Sequence, residues 1–76
     1  MEQVNGTLTK TIRVLLDEKK YNTLRDILVT MNPFDIAEVF QELQDEKIAI
    51  LFRILPKELA AETFVEMDDD TQEFLI

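Results

Sequence analysis

The chain lacks the side chains that most enzymes use for catalysis. It also lacks those that cross-link many small domains through disulfides or zinc. Its 76 residues include no cysteine, no histidine, no serine and a single glycine, Gly6. Without cysteine there is no disulfide, and without cysteine and histidine there is no structural zinc site of the usual kind. The common nucleophile–base pairs are absent, and one glycine cannot form a glycine-rich phosphate loop. The composition therefore argues against an enzyme.

Long apolar runs and a signal peptide are also missing. The longest apolar run covers residues 48–55 and is interrupted by Arg53, whereas a membrane-spanning helix needs about 20 apolar residues. The first residues do not combine a basic start with an apolar core, as a signal peptide does. We therefore expect no direct membrane insertion of this segment.

The negative charge is concentrated in one part of the chain. The net charge is −8; residues 1–31 hold five Lys and Arg against four acids, while residues 32–76 hold three against twelve. Such a field repels nucleic acid and anionic lipid, and it attracts cations or a basic protein surface. We expect no nucleic-acid partner.

Apolar residues recur every twelve positions from Leu24 onward, at offsets i, i+3, i+4 and i+7 within each repeat. The repeats are Leu24, Ile27, Leu28 and Met31; Ile36, Val39, Phe40 and Leu43; Ile48, Leu51, Phe52 and Leu55; Ala60, Thr63, Phe64 and Met67; and Gln72, Leu75 and Ile76. These offsets describe one face of an α-helix. The pattern predicts an all-α protein of about six short helices, stacked on their neighbours as a solenoid.

Capping residues indicate where the helices begin. Thr7 is a candidate cap for a first helix over residues 8–19, and a second helix is expected over residues 21–31. Asn32 is a good N-cap, and Pro33 suits the first helical position. This boundary is the clearest in the sequence.

Further boundaries are predicted in the second half of the chain. Asp45 begins a fourth helix. Pro56 interrupts the backbone hydrogen bonding of that helix and begins a fifth. Asp68 is the cap of a sixth. The chain stops at Ile76 in an apolar column without a C-cap signal. We expect residues 1–76 to be a single domain that is truncated at its C-terminal end.

Acidic residues also follow the repeat. Glu38 and Glu42, and Glu62 and Glu66, form like-charged pairs four residues apart on a helix. Such pairs cost about 0.2–0.5 kcal/mol each, and a hard divalent cation would remove the repulsion. The simpler interpretation is a solvated acidic face. The acids at 68–70 look like a metal cluster, but a helix N-terminus explains them without an ion.

The phenylalanines at repeat positions are interpreted as core residues, not as a ligand groove. Phe40, Phe52 and Phe64 share one column of the repeat, so each belongs to the buried stripe of its helix. Phe34 lies outside the columns. It either staples the turn before its helix or is exposed for docking.

Three strings resemble a known family: residues 31–38 (Met-Asn-Pro-Phe-Asp-Ile-Ala-Glu), residues 51–62 (Leu-Phe-Arg-Ile-Leu-Pro-Lys-Glu-Leu-Ala-Ala-Glu), and Asp68 followed by Gln72-Glu73. They are similar to the cytosolic N-terminal domain of the MgtE family of magnesium transporters and channels. The resemblance covers about residues 8–76.

The resemblance implies a right-handed superhelix that is followed by a pair of CBS domains and a membrane pore. Mg²⁺ held between acidic residues of the N-terminal and CBS domains would close the pore, and Glu62, in the Ala-Ala-Glu string, would be one ligand. The ion would act as a regulator and would require the partner domain. The parent protein would be a homodimer, with this domain on the cytoplasmic side of the bacterial membrane.

A second resemblance supports an alternative function. The flagellar motor switch protein has similar short-helix repeats and a Glu-Leu-Ala-Ala-Glu string, found here at residues 58–62. On this interpretation the chain is an acidic α-helical interaction module that binds a basic partner without metal. The Asn-Pro-Phe-Asp-Ile-Ala-Glu start favours the transporter family.

Overall fold

The computed structural model describes the backbone of residues 4–76 and the side chains of residues 6–76. Its helices are α1 (Val4–Asp17), α2 (Tyr21–Leu28), α3 (Pro33–Phe40), α4 (Asp45–Ile54), α5 (Lys57–Val65) and α6 (Asp69–Leu75). No strand occurs within residues 4–76. The predicted all-α fold with six short helices is confirmed.

The start of α3 shows the predicted capping chemistry in full. Asn32 is extended (φ −83°, ψ 159°), and Pro33 occupies the first helical position. The Asn32 side-chain oxygen accepts the Asp35 N–H at 2.9 Å, and the Asn32 amide donates to the Asp35 carboxylate at 3.1 Å. One exposed backbone donor is thereby satisfied by a residue three positions earlier.

The starts of α4, α5 and α6 also lie where the sequence predicts them. Asp45 is the first residue of α4. Pro56 is the N-cap of α5, one position before its first helical residue. Asp68 caps α6, because its carboxylate accepts the Thr71 N–H at 3.0 Å. The three corners that define the second half of the chain are confirmed.

The predicted start of the first helix is wrong. Helix α1 begins at Val4, so Thr7 lies inside it and does not cap it. The Thr7 carbonyl accepts a hydrogen bond from the Thr11 hydroxyl at 3.2 Å. A threonine caps only where the chain before it leaves the helical conformation, and residues 4–6 are helical.

The first helix ends earlier than predicted, in a Schellman motif. Lys19 has φ 59°, a left-handed conformation. Its N–H donates to the Leu16 carbonyl at 3.0 Å, and the Lys20 N–H donates to the Leu15 carbonyl at 2.9 Å. Glycine usually occupies the left-handed position of this motif. Because the position is held by Lys19 instead, the sequence contained no signal for the end of the helix.

The second helix ends at Leu28, three residues before the predicted end at Met31. The N–H groups of Thr30 and Met31 bond carbonyls three residues back, at 3.1 Å each, and the Thr30 hydroxyl donates to the Ile27 carbonyl at 2.7 Å. The residue before a proline avoids the helical conformation. The chain therefore has to leave the helix before it reaches Pro33.

Helix packing follows a simple order. Helix α1 packs on α2 and α3, α2 packs on α4, α3 on α5, and α4 on α6. The buried apolar core comprises Ile12, Leu16, Leu24, Leu28, Ile36, Ala37, Val39, Phe40, Leu43, Ile48, Leu51, Leu55 and Met67. Most repeat positions are therefore buried. The right-handed superhelical path of the solenoid stays a prediction.

Burial along the phenylalanine column is uneven. Phe40 is fully buried, whereas Phe52 and Phe64 are half-buried and pack on each other, with ring centroids 6.2 Å apart. Phe34 is 54% exposed. Ile76, although it shares the apolar column, is exposed. The longest described helix, α1, has 14 residues, and none of the described helices has the length and apolar character needed to cross a membrane.

Candidate functional site

Helix α5 presents the predicted metal ligand Glu62 on its outer face. Glu62 is exposed, and Glu58 and Glu66 are exposed four residues to either side, so the three carboxylates lie along one side of the helix. The neighbouring Thr63 is completely buried. Packing against α3 therefore turns Glu62 toward solvent, as the helical pattern requires.

Glu62 does not belong to a metal-binding group in the part of the chain that the structure describes. Within the described residues no group of three or more acidic side chains is close enough together to hold a metal ion. Mg²⁺ keeps several of its waters and commonly takes one or two protein carboxylates. A single exposed carboxylate fits an ion that is shared with a second surface. It does not fit an ion enclosed by this domain.

The other acidic pair of the repeat, Glu38 and Glu42, does not form a metal-binding group with Glu62. Glu38 is half-buried on α3, and Glu42 is exposed in the turn that follows α3. Although α3 packs against α5, the two acidic pairs do not combine into a group of metal-ligand type within the described residues. The structure therefore assigns them no common ion.

The aspartates at the start of α6 act as cap and first turn. Asp68 is the N-cap, and Asp69 and Asp70 lie in the first turn, as the sequence predicts. Hydrogen bonding from Thr71, first through its side chain and then through its backbone N–H, lowers the pKa of Asp68 below its ordinary value. These hydrogen bonds favour the ionised form of the carboxylate.

A shared acidic cleft was missed by sequence reasoning. Asp45, at the start of α4, lines a cleft of about 510 Å³ together with Asp68 and Asp70. The cleft forms because α4 packs on α6. The sequence did contain a signal for this cleft. An acidic residue begins each of the two helices, and these two positions are separated by two lengths of the repeat. The three acids nevertheless do not form a metal-binding group.

The chain matches one family model, described as the MgtE intracellular N domain, over residues 31–76. No curated protein and no solved structure matches it. The matched region contains α3 to α6, including the Asn32 and Asp68 caps and Glu62. The resemblance of residues 8–30 stays a prediction. Because the match covers more than half of the chain, the chain belongs to the family of MgtE intracellular N domains, a part of magnesium transporters and not an enzyme family.

Proposed function

We propose that this domain is a Mg²⁺-responsive regulatory domain of a magnesium transporter or channel. Glu62 contributes one carboxylate to an ion that is shared with a CBS domain of the same protein. The observation that carries the proposal is the position of Glu62, exposed on α5 within the segment that matches the family. The parent protein is proposed to be a homodimer with this domain on the cytoplasmic side of a bacterial membrane.

Charge supplies the mechanism of the proposed response. Residues 32–76 carry twelve acids against three cations, so an acidic partner surface is repelled when no divalent ion is present. Bound Mg²⁺ supplies the positive charge that makes close approach favourable. Because the ion binds the closed arrangement more tightly than the open one, it shifts the population toward the closed arrangement.

The exposure of Glu62 sets the expected strength of binding. An exposed carboxylate loses little solvation when it meets a hydrated ion, but its attraction is weakened by water and salt. One such ligand gives weak binding until the partner surface adds its own. The domain alone is therefore expected to respond little to Mg²⁺, and the pair of domains to respond together.

The proposal is tested by small-angle scattering on a protein that contains this domain and its CBS pair, titrated with Mg²⁺. We expect compaction, and we expect Glu62→Gln to raise the midpoint concentration about tenfold, the effect of losing one charged contact. Glu73→Gln, which removes an exposed carboxylate from α6, is the matched control and should leave the midpoint unchanged.

Two results contradict the proposal. If millimolar Mg²⁺ produces no compaction, the sensing role is wrong. If compaction occurs but Glu62→Gln and Glu73→Gln behave alike, Glu62 is not a ligand. Binding of a basic protein surface with no dependence on Mg²⁺ would instead support the acidic interaction module, the motor-switch-like alternative.

A further inference from the structure

A shallow cleft lies between the start of α2 and the end of α4, away from Glu62 and from the acidic cleft at α6. Its volume is about 370 Å³, and it is lined by Tyr21, Ile50, Arg53 and Ile54. The two isoleucines are half-buried and Tyr21 is 39% exposed. The cleft is within the size range of small binding sites, about 300–1,000 Å³, and it offers an apolar floor beside a guanidinium group.

The cleft lies in the most basic region of an acidic chain. The segments that contribute to it, residues 18–25 and 50–57, hold five cations (Lys19, Lys20, Arg25, Arg53 and Lys57) and one acid, a net charge of +4. The other sixty residues hold three cations and fifteen acids, a net charge of −12. Packing of α2 against α4 brings the two basic segments together.

Structural roles account for only part of this basic cluster. All five are exposed, and none pairs with an acid within residues 6–76, where the described ion pair joins Lys47 to Asp17 at 3.7 Å. The helix dipole favours a cation at the C-terminal end of a helix, which explains the position of Arg53. It also suits Arg25 in the last turn of α2, and Lys19 and Lys20 at the C-terminal end of α1. It does not explain Lys57 at the start of α5.

Lys57 occupies a position where a cation is unfavourable. It is the first residue of α5, at the positive end of that helix dipole, whereas Lys20, the N-cap of α2, also lies at the negative end of α1. Neither α2 nor α5 has a side-chain cap hydrogen bond, whereas Asn32 and Asp68 provide one to α3 and α6. A cation at the start of α5 is expected to weaken that helix, and such a cost is expected of a residue that serves binding.

We propose that this cleft docks an acidic segment of a partner protein that carries an apolar side chain. The apolar side chain packs on Tyr21, Ile50 and Ile54. A neighbouring carboxylate of the segment accepts hydrogen bonds from the planar guanidinium of Arg53, which can donate two in parallel. Lys20 and Lys57 attract the remaining acids of the segment. This surface is separate from the proposed Mg²⁺ response, since it uses none of the acidic residues.

An acidic protein segment fits the surface better than a membrane or a nucleic acid does. The cleft is concave and apolar at its floor, so it accepts a protruding side chain. A lipid surface is flat and carries its charge in one plane. The net charge of −12 on the rest of the chain repels an extended anionic surface, whereas a short segment encounters the basic region alone.

The test measures binding of a short labelled peptide of alternating glutamate and leucine by fluorescence anisotropy at low salt. A peptide with lysine in place of glutamate is the probe control. We expect Arg53→Glu and Lys57→Glu each to weaken binding of the acidic peptide about tenfold. Lys10→Glu makes the same change of charge on the exposed face of α1 and should have little effect.

Lys57→Glu separates binding from folding. An acid at the first position of α5 suits the helix dipole, so this variant should raise the thermal unfolding midpoint while it weakens peptide binding. Loss of binding therefore cannot be attributed to unfolding.

Four outcomes overturn the proposal. Equal binding of the two peptides is the first, and equal weakening of binding by Arg53→Glu and Lys10→Glu is the second. Vesicles of equimolar phosphatidylserine and phosphatidylcholine that bind the chain through Arg53 as tightly as the peptide identify a membrane as the occupant. Sedimentation that shows self-association lost in Arg53→Glu identifies a second copy.

Discussion

The guanidinium of Arg13 donates a hydrogen bond of 2.6 Å to the backbone carbonyl of Glu42, a residue 29 positions away. Arg13 lies on α1, and Glu42 lies in the turn that follows α3. The bond joins the first helix to the end of the third. It also satisfies a carbonyl at the C-terminal end of α3, where a positive charge is favoured.

Removal of this contact is expected to weaken the attachment of α1. Arg13→Ala should lower the free energy of unfolding by about 1 kcal/mol, a typical value for one hydrogen bond at an exposed position. Urea unfolding measures the change. Lys10→Ala on the same helix is the matched control, and equal midpoints for the two variants would show that the contact contributes nothing.

Phe40 is expected to be the most sensitive aromatic position. Phe40→Ala should cost about 3–5 kcal/mol because it opens a cavity in the core, and a domain of this size has little stability to lose. Phe34→Ala on the same helix, where the ring is 54% exposed, should cost less than about 0.5 kcal/mol. Thermal unfolding followed by circular dichroism compares them, and comparable losses would contradict the assigned core.

Thr63 offers a stabilising substitution. Its hydroxyl is fully buried on α5 and has no hydrogen-bond partner among the described atoms. Thr63→Val replaces the hydroxyl by a methyl group of similar shape, so we expect a gain of about 1 kcal/mol. Thr23→Val, at an exposed position of α2, controls for the change of residue type. No difference in urea midpoint between the two variants would refute this expectation.

Asp68 is expected to make stability depend on pH in the acid range. Its pKa is lowered in the folded state, from an ordinary value of 3.8, because Thr71 hydrogen-bonds its carboxylate. Such a group stabilises the fold at a pH above its pKa in the unfolded chain. This contribution disappears as pH falls through its pKa in the folded state.

Asp68→Asn keeps a good N-cap but removes the charge, so it isolates this effect. We expect the variant to be less stable than the wild type near neutral pH. The two should converge as pH falls through the lowered folded-state pKa of Asp68, where the wild-type carboxylate becomes protonated. Thermal unfolding across this range supplies the test. Asp26→Asn on the exposed face of α2 is the control for loss of one negative charge, and parallel curves for the two variants would rule out a role for the cap.

Lys19 holds a left-handed conformation that glycine adopts more easily. Its φ of 59° ends α1, and such a residue carries a strain of about 1 kcal/mol. Lys19→Gly relieves the strain but gives the unfolded chain more freedom. We expect a net gain of a few tenths of a kcal/mol. Lys20→Gly, one position later where φ is negative (−87°), should destabilise, and a loss in both variants would contradict the assignment.

Sequence reasoning succeeded where the cause of a structure is local. Asn32 and Asp68 cap helices through residues three positions away, so the pattern is legible in a short string. The start of α1 and the turn at Lys19 were missed because no local residue forces them. The bond from Arg13 to Glu42 could not be predicted either, since any residue carries a backbone carbonyl and its type gives no signal.

The candidate site was predictable in position but not in composition. The repeat correctly places Glu62 on a solvent-facing side of α5. Which acids approach one another depends on how α4 meets α6, and for that reason the cleft that joins Asp45 to Asp68 was not foreseen.

The order of helix packing has a consequence for the speed of folding. The principal helix pairings join helices that are adjacent along the chain or separated by a single helix. Most native contacts therefore close short loops, and the entropy lost at each step is small. Topologies of this kind reach the native state rapidly, so we expect refolding within milliseconds. Each helix packs on a helix that lies a short distance before it in the sequence.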